Sequence, residues 1–157
     1  MIMDKFKSIF LGLEIAYGQY QPGERGDSGK QKGKAFIVRG QVTDELWQNH
    51  LEGKGPALGI IPITQDNSCR WGCIDIDEYN FDHTSFVKSI RDHKLPLIVC
   101  RSKSGGAHVF LFTKENIPAS LMQSKLKKWQ SYLGMKGQKF FQNKQRYLWN
   151  VGTQVTF

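Results

Sequence analysis

Over its second half, the run Gly72-Cys73-Ile74-Asp75-Ile76-Asp77 alternates isoleucine with aspartate, and that alternation dictates a strand with two unlike faces. Successive side chains of a strand point to opposite sides of its sheet. Ile74 and Ile76 therefore face a covered layer, while Asp75 and Asp77 share the other side. At about 3.3 Å rise per residue their backbones lie roughly 6–7 Å apart. Convergent carboxylates at that separation are hard oxygen donors that can share divalent ions. The plainer reading of the same residues is a solvated strand end running into Glu78.

Around this strand the apolar pattern sets out an α+β order. Phe6, Ile9, Phe10 and Leu13 recur at helical intervals, giving an expected helix over residues 4–16. Thr43 with Asp44 and Glu45 reads as an N-cap and acidic first turn, and Gly53 closes that short helix. Ala57–Ile63 reads as a continuous apolar strand, Gln65–Ser68 as a turn, and Trp71–Asp77 as the acidic strand. Residues 83–92 suit a helix with Phe86, Val87 and Ile90 inward. Leu97–Arg101 and Ala107–Thr113 read as a hairpin. Pro118 opens a helix carrying Leu121, Met122, Leu126, Trp129 and Leu133, which Gly134 stops. From the acidic strand onward, the order strand, helix, strand, strand, helix is one strand short of a ferredoxin-like βαββαβ unit. Gly23–Lys34 reads as a flexible basic loop without the spacing of a phosphate-binding P-loop.

The hairpin turn is the second chemical feature. Ser102-Lys103-Ser104-Gly105-Gly106-Ala107-His108 places two glycines where backbone N–H groups can turn toward an anion. Arg101, Lys103 and Ser104 add donors and positive charge. His108, Phe110 and Phe112 share one strand face, and antiparallel pairing can set His108 beside the two aspartates on an open sheet surface. A Ser/Gly turn alone also serves as an ordinary tight hairpin. The remaining histidines, His50, His83 and His93, read as structural.

Size and charge narrow the partners. A chain of 157 residues with 39% hydrophobic content fits one domain with a sizeable core. No apolar run is long enough to span a membrane, and Met1–Lys5 lacks the pattern of a signal peptide. Three cysteines, an odd number without a secretion signal, point to a reducing cytoplasm and no disulfide framework. Cys69 and Cys73 lack a second Cys/His pair at zinc-finger spacing and read as core thiols. Residues 1–96 hold 12 Lys and Arg against 13 Asp and Glu, whereas residues 97–157 hold 10 against Glu115 alone. That asymmetry favours a polyanion such as nucleic acid or nucleotide, although a solubilising surface accounts for charge alone equally well.

The acidic strand and the Ser/Gly/His hairpin together closely resemble the first two motifs of the archaeo-eukaryotic primase superfamily. The branch is that of the primase-polymerases of phages, plasmids and TOTE-type conflict systems. The resemblance runs from about Phe10 to Gly137 and includes Trp47, His50 and Gly59-Ile60-Ile61-Pro62. The family's N-terminal Gly-Arg-Glu-Asp-x-Tyr element is only loosely echoed by Gly12–Tyr17. The resemblance implies an RRM-like antiparallel sheet with helices on one face, joined to a small N-terminal α/β module. It implies Asp75 and Asp77 as catalytic ligands of Mg²⁺ or Mn²⁺. His108, Ser104 and the Gly105-Gly106 backbone would bind the triphosphate of an incoming nucleotide, with Arg101 and Lys103 adding charge. Two metals would activate a primer 3′-hydroxyl and stabilise departing pyrophosphate. Implied partners are nucleoside triphosphates, a DNA template and primer, and a helicase encoded nearby, in the cytoplasm of a bacterial or phage-infected cell. A non-catalytic RRM-like nucleic-acid-binding module and a metal-dependent nuclease are the alternatives.

The resemblance stops near Gly137. The family's last core strand reads like Glu-Ile-Phe-Pro-Lys-Gln, whereas this chain reads Gln138-Lys139-Phe140-Phe141-Gln142-Asn143-Lys144. Those residues can be encoded as CAG AAA TTT TTC CAA AAC AAA. Read from the final base of the first codon, this gives GAA ATT TTT CCA AAA CAA, which is Glu-Ile-Phe-Pro-Lys-Gln. Gln154–Phe157 likewise yields Gly-Asn-Phe in that frame. The expectation is a catalytic-domain fragment over residues 1–137, followed by an out-of-frame tail over 138–157. The last core strand, the lysine it carries and a third metal carboxylate are then lost or replaced, with Phe140 and Phe141 as stand-ins.

Overall fold

Two antiparallel sheets form among the described residues, which in this computed structural model are 2–25, 31–78, 80–102, 105–135 and 139–141. The first contains β1 (Ala16–Arg25), β2 (Gln31–Arg39) and β3 (Ala57–Gly59) in the order β2-β1-β3. Helices α1 (Ile2–Ile9) and α2 (Asp44–Leu51) accompany it. The second contains β4 (Ser68–Ile76), β5 (Ile98–Arg101), β6 (Ala107–Pro118) and β7 (Lys139–Phe141) in the order β5-β6-β4-β7. Helices α3 (His83–Asp92) and α4 (Ala119–Tyr132) are its crossovers. The fold is α+β. Among the described residues no helix is long and apolar enough to cross a membrane.

The N-terminal module departs most from expectation. The α1 helix ends at Ile9 rather than near residue 16. Gly12 lies so close to Ile61 that a Cβ there would overlap its carbonyl oxygen, and the Leu13 N–H donates to Ile61 O at 2.8 Å. A long-range backbone bond has displaced the next helical turn. The same contact and Pro62, which has no N–H to donate, leave β3 at three residues instead of the expected Ala57–Ile63. The stretch expected as a loop is partly hairpin: Gln21 pairs with Lys34 and Pro22 with Gly33, while residues 26–30 lie outside the described ones. Thr43 does cap α2, accepting the Leu46 N–H at 3.3 Å, and Gly53 follows with φ +68°.

The second sheet completes the βαββαβ unit that the sequence left one strand short. The β7 strand takes the outer place beside β4, pairing Phe141 with Cys73, Phe140 with Ile74 and Lys139 with Asp75. On the helix side, Ile74, Ile76, Val109 and Leu111 pack against Ile90 of α3 and Met122 and Leu126 of α4. Each such side chain contributes about 1.5–3 kcal/mol on leaving water. Leu121 of α4 is 45% exposed, and Gln130 is buried on the same helix beside Met122 and Leu126.

A β-bulge between Cys69 and Trp71 sets which residues face where. Between these two pairs β4 advances two residues and β6 five, and across this irregular stretch the side to which β4 residues point changes. Cys69 thus joins the helix-side core, while Trp71 and Cys73 emerge on the opposite face with Phe110. That face is not open as expected. Phe10 and Ile60 roof it, leaving Trp71 6% and Phe110 1% exposed.

Candidate active site

Residues 75 and 108 meet because of two local features. The turn joining β5 to β6 pairs Arg101 with Ala107 and Cys100 with His108. The β4–β6 register then pairs Asp75 with His108. Cys100, His108 and Asp75 therefore form a row across three strands. The Asp75 Oδ1 lies 3.4 Å from His108 Nε2. Both residues are largely buried, His108 at 1% exposure and Asp75 at 9%.

Asp77 follows two residues after Asp75. The β4 strand ends at Ile76, one residue before it, and Asp77 is exposed. Arg101 is exposed too, in register with Ala107, a member of the helix-side core, and so on the other face of β5 from Cys100. Lys103 and Ser104 lie outside the described residues.

The glycine turn is held from several sides. The Gly105 N–H donates to Ser102 O at 3.1 Å, and the Ser102 N–H donates to Gly106 O at 2.9 Å. His83 Nε2 bonds the same Gly106 carbonyl at 3.0 Å. Gly106 has no room for a side chain, since a Cβ would overlap the Ile76 carbonyl oxygen. The requirement for glycine at 106 is thus close backbone packing against the end of β4, beside Asp77. The Gly105 amide already closes the turn, so an anion there would compete for it.

The thiols of the site are kept protonated. Burial, and after it the negative charge of Asp75, pushes Cys73 well above the ordinary thiol range. Burial also raises Cys100, and lifts Cys69 to about 11. A Cys–His–Asp row with a raised thiol is not an activated nucleophile, because the thiolate is the reactive form.

Among the described residues, no group of three or more His, Cys, Asp or Glu side chains is placed to hold a metal ion. The hard donors present are the carboxylates of Asp75 and Asp77. A pair of carboxylates fits Mg²⁺, which commonly takes one or two and completes its shell with water and substrate phosphates.

An apolar hollow of about 430 Å³ continues along the same sheet face, lined by Phe10, Ile98, Cys100, Phe110 and Phe112, with Arg70 at its edge. Its connection to the site runs through Cys100, the cross-strand neighbour of His108. The sequence reading assigns Cys100 no role and His83 a structural one. The hairpin register places the first, but no sequence signal ties His83 to Gly106.

Fold and site together define a class: a ferredoxin-like α+β domain with a carboxylate against an imidazole at one end of the sheet. The chain belongs to the family described as the TOTE conflict system Archaeo-Eukaryotic Primase domain, whose profile matches residues 19–143. This is a primase-type nucleotidyltransferase family. The matched span contains the acidic strand and the Ser/Gly/His hairpin. No curated protein matches the chain.

Proposed function

We propose that this chain is the N-terminal part of a primase-polymerase catalytic domain, which adds nucleotides from nucleoside triphosphates to a primer along a DNA template. The observation that carries the reading is Asp75 facing His108 at 3.4 Å beside a glycine turn, in a chain of primase family. Asp75 and Asp77 would hold Mg²⁺ or Mn²⁺. Two such ions, when bound, neutralise triphosphate charge and activate the attacking hydroxyl.

The chain's own contribution is position and charge. His108 would offer a ring N–H to a phosphate oxygen, and Ser104 and the Gly105-Gly106 backbone would supply further donors, the Gly105 amide by exchanging its bond to Ser102 O for one to the phosphate. Lys103, and Arg101 from the opposite face of β5, would add positive potential at the turn. The apolar hollow beyond Cys100 gives the base and sugar a surface that excludes water. The rival reading of an RRM-like module that stacks bases on its open sheet loses support, because Trp71 and Phe110 are packed under Phe10.

The proposal includes a boundary. On this reading residues 138–157 are an out-of-frame tail whose start still pairs with β4 and lies within the matched span 19–143, and the intact gene would encode the missing lysine and the third metal ligand. Sequencing the locus past the codon for Gly137 tests this: a closed alternate frame rejects it. The natural setting is a phage or other mobile element in a bacterial cytoplasm, with a helicase encoded nearby.

Calorimetric titration with a nucleoside triphosphate, with and without Mg²⁺, tests the site. Binding should require the metal and disappear in Asp75→Ala and in His108→Ala. Equal binding by both variants rejects the assignment.

A further inference from the structure

The basic charge of the C-terminal half does not all gather at the proposed nucleotide site. Helix α4 carries Lys125, Lys127 and Lys128 and no acidic residue. All three lysines are exposed, and among the described residues none of them is in an ion pair. The inner face of α4 buries Met122 and Leu126 against the helix side of β4 and β6. Asp75 and His108 occupy the other side of those strands, so the sheet separates them from the lysines.

At 3.6 residues per turn, Leu121, Lys125, Lys128 and Tyr132 fall on one stripe, spaced i, i+4, i+7 and i+11. Tyr132 is 64% exposed and Leu121 45% exposed, so an aromatic and an aliphatic side chain lie at the surface in line with the two lysines. Tyr132 stands edge-on to His93, with ring centroids 4.8 Å apart. This contact brings the C-terminal ends of α3 and α4 together. Arg91 and Lys94, both exposed, lie at that end of α3. Lysines near a helix C-terminus also complement its dipole, but an exposed aromatic beside them has no part in that role.

We infer that this outer face of α4, with the end of α3, is a second binding surface, and that its occupant is single-stranded nucleic acid. Lys125 and Lys128 meet successive phosphates, and Tyr132 stacks on a base. Sequence-independent recognition follows, since every base offers a flat π-face. The surface is independent of the proposed chemistry at Asp75, and the two can fail separately.

The test is fluorescence anisotropy of a labelled oligothymidylate over a salt series, without metal or nucleotide. Wild type should bind, and Lys5→Gln, which removes an exposed lysine of α1, should bind equally. The double variant Lys125→Gln, Lys128→Gln should weaken binding and make the slope of log K against log salt shallower by about 1.4, at roughly 0.7 per phosphate contact. Tyr132→Ala should weaken binding by about 5- to 150-fold. Unchanged affinity and slope in the double variant overturns the inference. So does wild-type binding to phosphatidylserine vesicles or a polyglutamate peptide but not to the oligonucleotide. Tighter binding of duplex than of single strand, with Tyr132→Ala neutral, overturns the single-strand assignment.

Discussion

Asp75 and His108 face each other from adjacent antiparallel strands, the carboxylate oxygen 3.4 Å from the imidazole nitrogen, with Cys100 on the far flank of the ring. Backbone register alone sets this arrangement. The turn joining β5 to β6 fixes which residue of β6 stands beside Cys100, and the β4–β6 ladder places Asp75 next to it.

Gly106 should be the least replaceable residue of the turn. Gly106→Ala would force its backbone away from the Ile76 carbonyl, at an overpacking cost of about 1–3 kcal/mol. Urea denaturation should show the loss. Calorimetry should show weaker Mg²⁺–nucleotide binding by the fraction that remains folded.

The core between the second sheet and α4 should behave as a cooperative unit. Met122 and Leu126 are both fully buried, so Met122→Ala or Leu126→Ala should each cost about 2–5 kcal/mol in chemical denaturation. Leu121→Ala, on the exposed side of the same helix, should cost far less. Equal losses at all three positions would contradict the observed facing of α4.

Stability should fall on mild acidification through His50. Its Nδ1 accepts the Leu58 N–H at 3.3 Å, which requires an unprotonated nitrogen, and burial lowers the imidazole below its ordinary 6.5. The unfolded chain therefore binds this proton more readily than the folded one. The contribution is complete above about pH 6.5 and is lost as pH falls below it. Asp66 and Asp82, held low by hydrogen bonds from the Thr64 hydroxyl and the Ser85 amide, lose theirs only in stronger acid. Melting temperatures from pH 7 to pH 5 should drop for wild type and drop less for His50→Gln.

Thiol reactivity should single out Cys100. Cys69 and Cys73 are buried, whereas Cys100 is half-buried at the wall of the apolar hollow. Titration with a disulfide reagent at neutral pH should modify one thiol slowly in the folded protein and three in denaturant. Loss of the slow phase in Cys100→Ser would identify it.

Much of the second sheet was legible because its apolar residues keep strict periods. The α3 boundaries at His83 and Asp92 follow from apolar periodicity, with Asp82 in place as its cap. Ile74 and Ile76 against Asp75 determined which side of β4 meets the helices. The β1–β2 hairpin was not legible, since glutamines, lysines and glycines between Gly18 and Lys34 give no alternation of apolar residues. The shortening of α1, the roof that Phe10 places over Trp71, and the bond from His83 to Gly106 depend on contacts between segments far apart in the chain. No local pattern encodes those. Which of the apolar residues on α4 are buried was not legible, because helical periodicity admits a broad apolar stripe while the sheet covers only its centre.

The central claim is that a metal-bound nucleotide sits against His108 and is held through Asp75. Proton NMR of the four histidine rings during titration with Mn²⁺ and a nucleoside triphosphate reads this directly. Paramagnetic broadening should strike the His108 ring first and vanish in Asp75→Ala. A His108 signal that stays sharp while His50 or His93 broadens would contradict the account.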